Sequence, residues 1–94
     1  MGETMKRVEI EVKVSNALGL HARPAAMLVR KANTFQSSLT LLHPSGKGDC
    51  KSVLDILMLA AGQNTALKLI AEGSDADAAA QAISELFQSK FGEE

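Results

Sequence analysis

Across residues 8–14, Val8, Ile10, Val12 and Val14 alternate with Glu9, Glu11 and Lys13. A period of two sends every apolar side chain to one face of an extended chain and every charge to the other. A strand built this way belongs to a sheet that meets a core on one side and water on the other. That habit is typical of antiparallel sheets.

The rest of the chain supplies partners for such a strand. Ser15, Asn16 and Gly19 end it in a loop, and Ala25, Leu28, Val29 and Ala32 then fall at helical spacing. Pro24 fits the first turn of that helix, where its missing N–H leaves no intrahelical bond unmade. Residues 36–42 read as a second strand with Leu39 and Leu41 inward. His43, Pro44, Ser45 and Gly46 form a turn, and residues 47–51 form a short polar strand that pairs back. Ser52, with Asp55 three residues on, opens a second helix expected to run through residues 53–61 and stop at Gly62. Residues 66–72 make a fourth strand with Leu67, Leu69 and Ala71 on one face. A last helix, beginning at Ser74 or Asp75, aligns Ala79, Ile83, Leu86 and Phe87, with Asp75 and Asp77 favoured in its first turn. The order is βαββαβα. It predicts an α+β open-faced sandwich: a four-stranded antiparallel sheet with three helices on one face. No linker, repeat or low-complexity tract interrupts it, so residues 1–94 read as a single domain.

Composition narrows the function. Ten basic and eleven acidic residues give a net charge of −1, which disfavours a protein that binds nucleic acid by neutralising phosphates. Phe35, Phe87 and Phe91 are the only aromatic residues, so stacking platforms for bases are missing and the core is aliphatic. The lone Cys50 reads as a small buried hydrophobe, unable to form an internal disulfide or by itself a zinc site. The longest nearly apolar stretch, residues 53–61, contains Asp55 and falls well short of the roughly 20 residues of a membrane span. Residues 1–7 are polar and lack the apolar stretch of a secretory signal, and Lys6 stands where a myristoylation motif at Gly2 wants Ser or Thr. A cytoplasmic protein without membrane insertion is expected.

Few residues remain for chemistry. In Gly19-Leu20-His21-Ala22-Arg23-Pro24 a strand has ended, a glycine turns the chain, and a histidine arrives at a helix start. The amides of Ala22 and Arg23 then belong to the unpaired first turn, where the helix dipole favours an anion. Arg23 adds a charged fork matched to phosphate oxygens. A neutral imidazole is a nucleophile, and the ordinary histidine pKa of about 6.5 leaves it mostly neutral near pH 7. The combination suits a histidine that accepts a phosphoryl group and hands it on. The plainer reading of such a histidine is a cap or a solvated surface residue.

The run Asn16-Ala17-Leu18-Gly19-Leu20-His21-Ala22-Arg23-Pro24-Ala25-Ala26 resembles the active-site signature of the HPr family, phosphocarriers of bacterial phosphotransferase systems. Lys51-Ser52-Val53-Leu54 and Ala71-Glu72-Gly73 extend the likeness across nearly the whole chain. The resemblance implies that His21 takes a phosphoryl group on Nδ1 from enzyme I, which draws it from phosphoenolpyruvate, and passes it to a IIA-type acceptor domain. Arg23 and the amides of Ala22 and Arg23 would hold the phosphate, with no metal or bound cofactor. The carrier is expected to be a monomer and to act stoichiometrically rather than as an enzyme.

Ser52 has two compatible roles. It is a helix cap by position, and by resemblance it matches the serine modified by HPr kinase/phosphorylase. Leu54-Asp55 follows Ser52-Val53 where that regulatory pattern has Met-Gly, so the sequence departs from it there. Val53, Leu54, Ile56, Leu57, Met58 and Leu59 exceed what one buried stripe can hold. Ile56 and Leu59 fit the core. By resemblance, Val53, Leu54 and Leu57 join Leu20 and Met27 in a docking patch around His21. Arg30 and Lys31 either steer an acidic partner or are a solvated helix face. The segment 16–19 and the ending Leu86-Phe87-Gln88-Ser89-Lys90-Phe91 look like the nitrogen-related carrier, NPr. Three readings stay open: a sugar-system carrier, an NPr-type carrier in a regulatory cascade, and a phosphorylation-dependent adaptor without onward transfer.

Overall fold

The computed structural model describes residues 6–93; the extreme N-terminal residues 1–5, included above in the search for a leader, and residue 94 lie outside them. Strand β1 (Lys6–Lys13) leads to helix α1 (Ala22–Ala32), then β2 (Ser38–His43), β3 (Gly46–Asp49), α2 (Val53–Met58), β4 (Ala66–Gly73), α3 (Ala76–Gln88) and a final 3₁₀ turn (Lys90–Gly92). All sheet pairings are antiparallel, in the order β1-β4-β2-β3. In register, Val12 faces Leu67, Ile10 faces Leu69, and Leu69 faces Leu41 across the other side of β4. Val12, Leu39, Leu41, Leu67, Leu69 and Ala71 are buried, while the alternate residues of each strand lie towards water. Three helices cover the buried face, as the alternation in β1 demands.

Each helix gives up its apolar stripe to that face. Ala25, Leu28 and Ala32 of α1, Ile56 of α2, and Ala76, Ala79, Ala80, Ile83 and Phe87 of α3 are buried. Small residues on α3 allow its close approach to β1 and β4, while α1 packs against α2 and α3. Val29 and Leu86, placed on the inner stripes from sequence, are half-buried and pack at the margin of the core.

Two expectations are corrected. Helix α2 ends at Met58, with Leu59 as its C-cap, rather than running on to Gly62: Ala60 turns left-handed at φ 52° and leads the chain away. Asp75, expected in the first turn of α3, stands one residue before it at the N-cap and makes no side-chain cap bond. Its carboxylate instead accepts from the Gln36 N–H, the Ser37 N–H and the Ser37 hydroxyl. These bonds pin the start of β2 to the start of α3 and hold the Asp75 carboxyl below its ordinary value, the Ser37 hydroxyl contributing most. Cys50 is fully buried, and burial, reinforced by the charge of Asp49, pushes its thiol up to about 12, so it stays protonated. Among the described residues no helix is long and apolar enough to cross a membrane.

Candidate functional site

The loop between β1 and α1 places the histidine. Gly19 takes φ +71°, and a Cβ there would lie 2.6 Å from the Ala61 carbonyl oxygen, so only glycine fits without displacement. The next residue secures the approach: the Leu20 N–H donates to that same Ala61 oxygen at 2.9 Å. His21 follows as the N-cap of α1, in extended conformation and without a side-chain cap bond. Its imidazole is therefore not spent on capping the helix.

The first intrahelical bond of α1 runs from the Ala25 N–H to the His21 carbonyl at 2.9 Å. Pro24 has no N–H, so Ala22 and Arg23 supply the first-turn donors, as the sequence predicts. Arg23 is 69% exposed at its side chain, and its Nη1 lies 4.0 Å from a carboxylate oxygen of Glu93. This is a loose surface contact that a stronger anion can displace.

Glu93 is the functional-site residue that the sequence does not announce. Its two carboxylate oxygens each lie 3.0 Å from His21 Nε2. Asn16, wholly buried, donates from Nδ2 to the Gly19 carbonyl at 2.7 Å and to Glu93 Oε1 at 3.0 Å. Both partners only accept, which fixes the orientation of the amide. Asn16 Oδ1 finds no partner among the described residues, a loss on the order of 1–3 kcal/mol for a buried acceptor. The hydrogen bond with His21 is the main cause holding the Glu93 carboxyl below its ordinary value. The Asn16 amide and the charges of His21 and Arg23 help, while burial opposes them. Glu93 therefore meets the imidazole as a carboxylate at neutral pH.

The remaining predicted site residues divide. Val53, Leu54 and Leu57 are exposed on α2, as expected. Leu20 is corrected: at 4% exposure its side chain belongs to the core. Leu18, 75% exposed, and Met58, 74% exposed, are the further apolar surface residues. Met27 is half-buried against the core. Ser52 caps α2, its hydroxyl accepting the Asp55 N–H at 3.2 Å, while the Asp55 carboxylate turns aside to accept from the Asp49 N–H at 3.0 Å. Arg30 and Lys31 are exposed in the last turn of α1. His43 is tied to its own turn by accepting the Ser45 N–H at 3.0 Å.

The open-faced βαββαβα sandwich places the chain among small phosphocarrier domains, which it resembles in both sequence and structure. Residues 8–89 match the family model described as the PTS HPr component phosphorylation site. The chain is 41% identical over 87 residues to the phosphocarrier protein HPr of Xylella fastidiosa, covering 93% of this chain and 98% of that one. It is 40% identical over 89 residues to the phosphocarrier protein NPr of Shewanella violacea, covering 95% and 98%. The crystal structure of HPr-C-His from Thermoanaerobacter tengcongensis superposes with a TM-score of 0.88 at 40% identity, covering 93% and 98%. The chain belongs to the HPr/NPr family of phosphocarriers of the phosphotransferase system.

Proposed function

We propose that His21 is the residue that carries the phosphoryl group, taking it from enzyme I and delivering it to a IIA-type acceptor domain. One observation carries this reading. His21 stands at the N-cap of α1 with its imidazole uncommitted to capping, beside the first-turn N–H groups of Ala22 and Arg23 and a largely exposed guanidinium. In the transfer a ring nitrogen of His21 forms a bond to phosphorus as the donor's nitrogen–phosphorus bond breaks. The dianionic group then rests against amide donors, the helix dipole and Arg23. One exposed guanidinium and two amides hold the phosphate without enclosing it, which suits a group that must leave again.

Docking falls to the apolar surface of Val53, Leu54, Leu57 and Met58. In this reading the carrier meets its partners in turn through that patch, as a monomer in the cytoplasm. Ser52 is the regulatory site in this reading. Its hydroxyl is held only as an acceptor, and the Asp55 carboxylate is engaged elsewhere. Phosphate there would add charge at the edge of the docking patch.

An NPr-type role is the second reading, favoured by the 40% identity to the phosphocarrier protein NPr of Shewanella violacea and by the NPr-like runs 16–19 and 86–91. Incubation with enzyme I and labelled phosphoenolpyruvate is expected to give an acid-labile, base-stable label that is absent in His21→Ala. A wild-type protein left unlabelled by a competent enzyme I overturns the proposal. Chasing the label onto sugar-specific or nitrogen-related acceptors separates the two roles, and a label that moves to neither supports an adaptor.

A further inference from the structure

The chain returns to its own active histidine from the far end of the sequence. Lys90 and Phe91 both adopt left-handed backbone, at φ 58° and 54°, and reverse the chain after α3. The Phe91 ring is fully buried and packs edge-on against Phe87, with centroids 5.0 Å apart. This anchor delivers Glu93 to the imidazole, and the buried Asn16 amide holds it there.

An ionised carboxylate can only accept hydrogen bonds. Glu93 lies 3.0 Å from Nε2, so that nitrogen carries the proton and Nδ1 keeps its lone pair. From this geometry we infer that Glu93 is a positioning residue: it masks Nε2 and directs phosphorylation of His21 to Nδ1. The inference rests on His21 being the phosphoryl acceptor and adds the residue that chooses between its two nitrogens.

The chemistry balances without a further group. Consider phosphoramidate, a small donor that needs no docking surface. The Nδ1 lone pair forms the new bond to phosphorus, and the P–N bond of the donor, whose nitrogen is already protonated as –NH3+, breaks, its electron pair leaving with that nitrogen as neutral ammonia. Nε2 keeps its proton throughout, so the ring becomes an imidazolium whose charge faces the Glu93 carboxylate. Removing the carboxylate uncovers the second nitrogen to the same donor.

Two readouts test this. In the unphosphorylated protein, at a pH where the imidazole is neutral, ¹⁵N chemical shifts of the His21 ring are expected to show protonated Nε2 and bare Nδ1. Treatment with phosphoramidate, followed by ³¹P NMR to separate the two phosphohistidine isomers, is expected to give the Nδ1 isomer alone in the wild type. Glu93→Ala is expected to yield both isomers, the Nε2 form rising to roughly equal amounts, a change of about ten-fold or more in their ratio. Glu93→Gln keeps a carbonyl acceptor and is expected to retain Nδ1 selectivity. Asn16→Ala, which frees the carboxylate from one anchor, is expected to fall between. The same isomer ratio and ring shifts in Glu93→Ala and wild type overturn the inference. These readouts do not use enzyme I, so failure of enzymatic labelling counts against the carrier reading alone.

Discussion

Gly19 and Ala61 meet backbone to backbone, and their close approach fixes the path of the loop before His21. A Cβ on Gly19 would stand 2.6 Å from the Ala61 carbonyl oxygen and 2.9 Å from the Cα of Gly62. The obstructing atoms are backbone, so they cannot swing away. Gly19→Ala is expected to destabilise the fold by at least about 1 kcal/mol, the cost of left-handed backbone alone. It is also expected to slow phosphorylation by enzyme I, because His21 lies two residues on. Urea unfolding and the initial rate of labelling measure both; wild-type values for the pair would refute the packing argument.

Asp75 ties the starts of β2 and α3 together, and its acid sensitivity follows from its depressed pKa. Three donors from Gln36 and Ser37 favour the carboxylate, so its folded-state value lies below the ordinary 3.8. A group lowered on folding adds stability that is fully present above its unfolded-state value and is lost as pH falls through the folded one. Asp75→Asn is therefore expected to unfold at lower urea concentration at pH 7. As pH drops below about 3.8 the gap between variant and wild type should narrow. A gap that stays constant from pH 7 to pH 2 would show that the carboxylate's charge is not what matters.

The strands and the histidine loop were legible in the sequence because each rests on local pattern. The alternation in β1 and β4, Pro24 at the start of α1, and Ser52 before α2 leave their marks within a few residues. What could not be read was set by distant parts of the chain. Asp75 looks like a first-turn carboxylate placed for the helix dipole, yet donors 38 and 39 residues earlier claim it. Leu20 looks like a surface contact, yet its side chain is buried in the core beside the loop that reaches Ala61. Glu93, in an acidic ending without periodicity, gives no sign that it reaches a residue 72 positions away. Phe91 was the available hint, since an aromatic beyond the last helix of so aliphatic a chain needs a reason to be there.

Phe91 supplies that reason through packing. Its ring is fully buried against Phe87, and Glu93 lies two residues further on. Phe91→Ala is expected to cost about 3–5 kcal/mol, as for other buried aromatic truncations. Phe91→Leu, closer in volume, is expected to cost less and to leave a folded protein in which the terminus is held more weakly. Calorimetry gives the stabilities, and the His21 ring ¹⁵N shifts report on the contact with Glu93. An unchanged melting temperature for Phe91→Ala would mean that the ring does not serve as an anchor.

Ser52 and the apolar face of α2 permit a test that separates stability from docking. The Ser52 hydroxyl accepts the Asp55 N–H at 3.2 Å, so Ser52→Ala is expected to lose about 1 kcal/mol. Ser52→Asp keeps a capping oxygen and should recover most of that loss. It also sets a charge beside Val53, Leu54 and Leu57, and is expected to slow transfer from enzyme I by raising KM. Leu54→Glu, on a side chain 66% exposed, places a charge on the patch without touching the cap. It is expected to change stability by no more than about 0.5 kcal/mol and to raise KM in the same way. ATP-dependent labelling by an HPr kinase/phosphorylase, lost in Ser52→Ala, checks the regulatory role. Should Leu54→Glu exchange phosphate with enzyme I at the wild-type KM, docking must use another face, and Ser52 would lose its physical reason to regulate it.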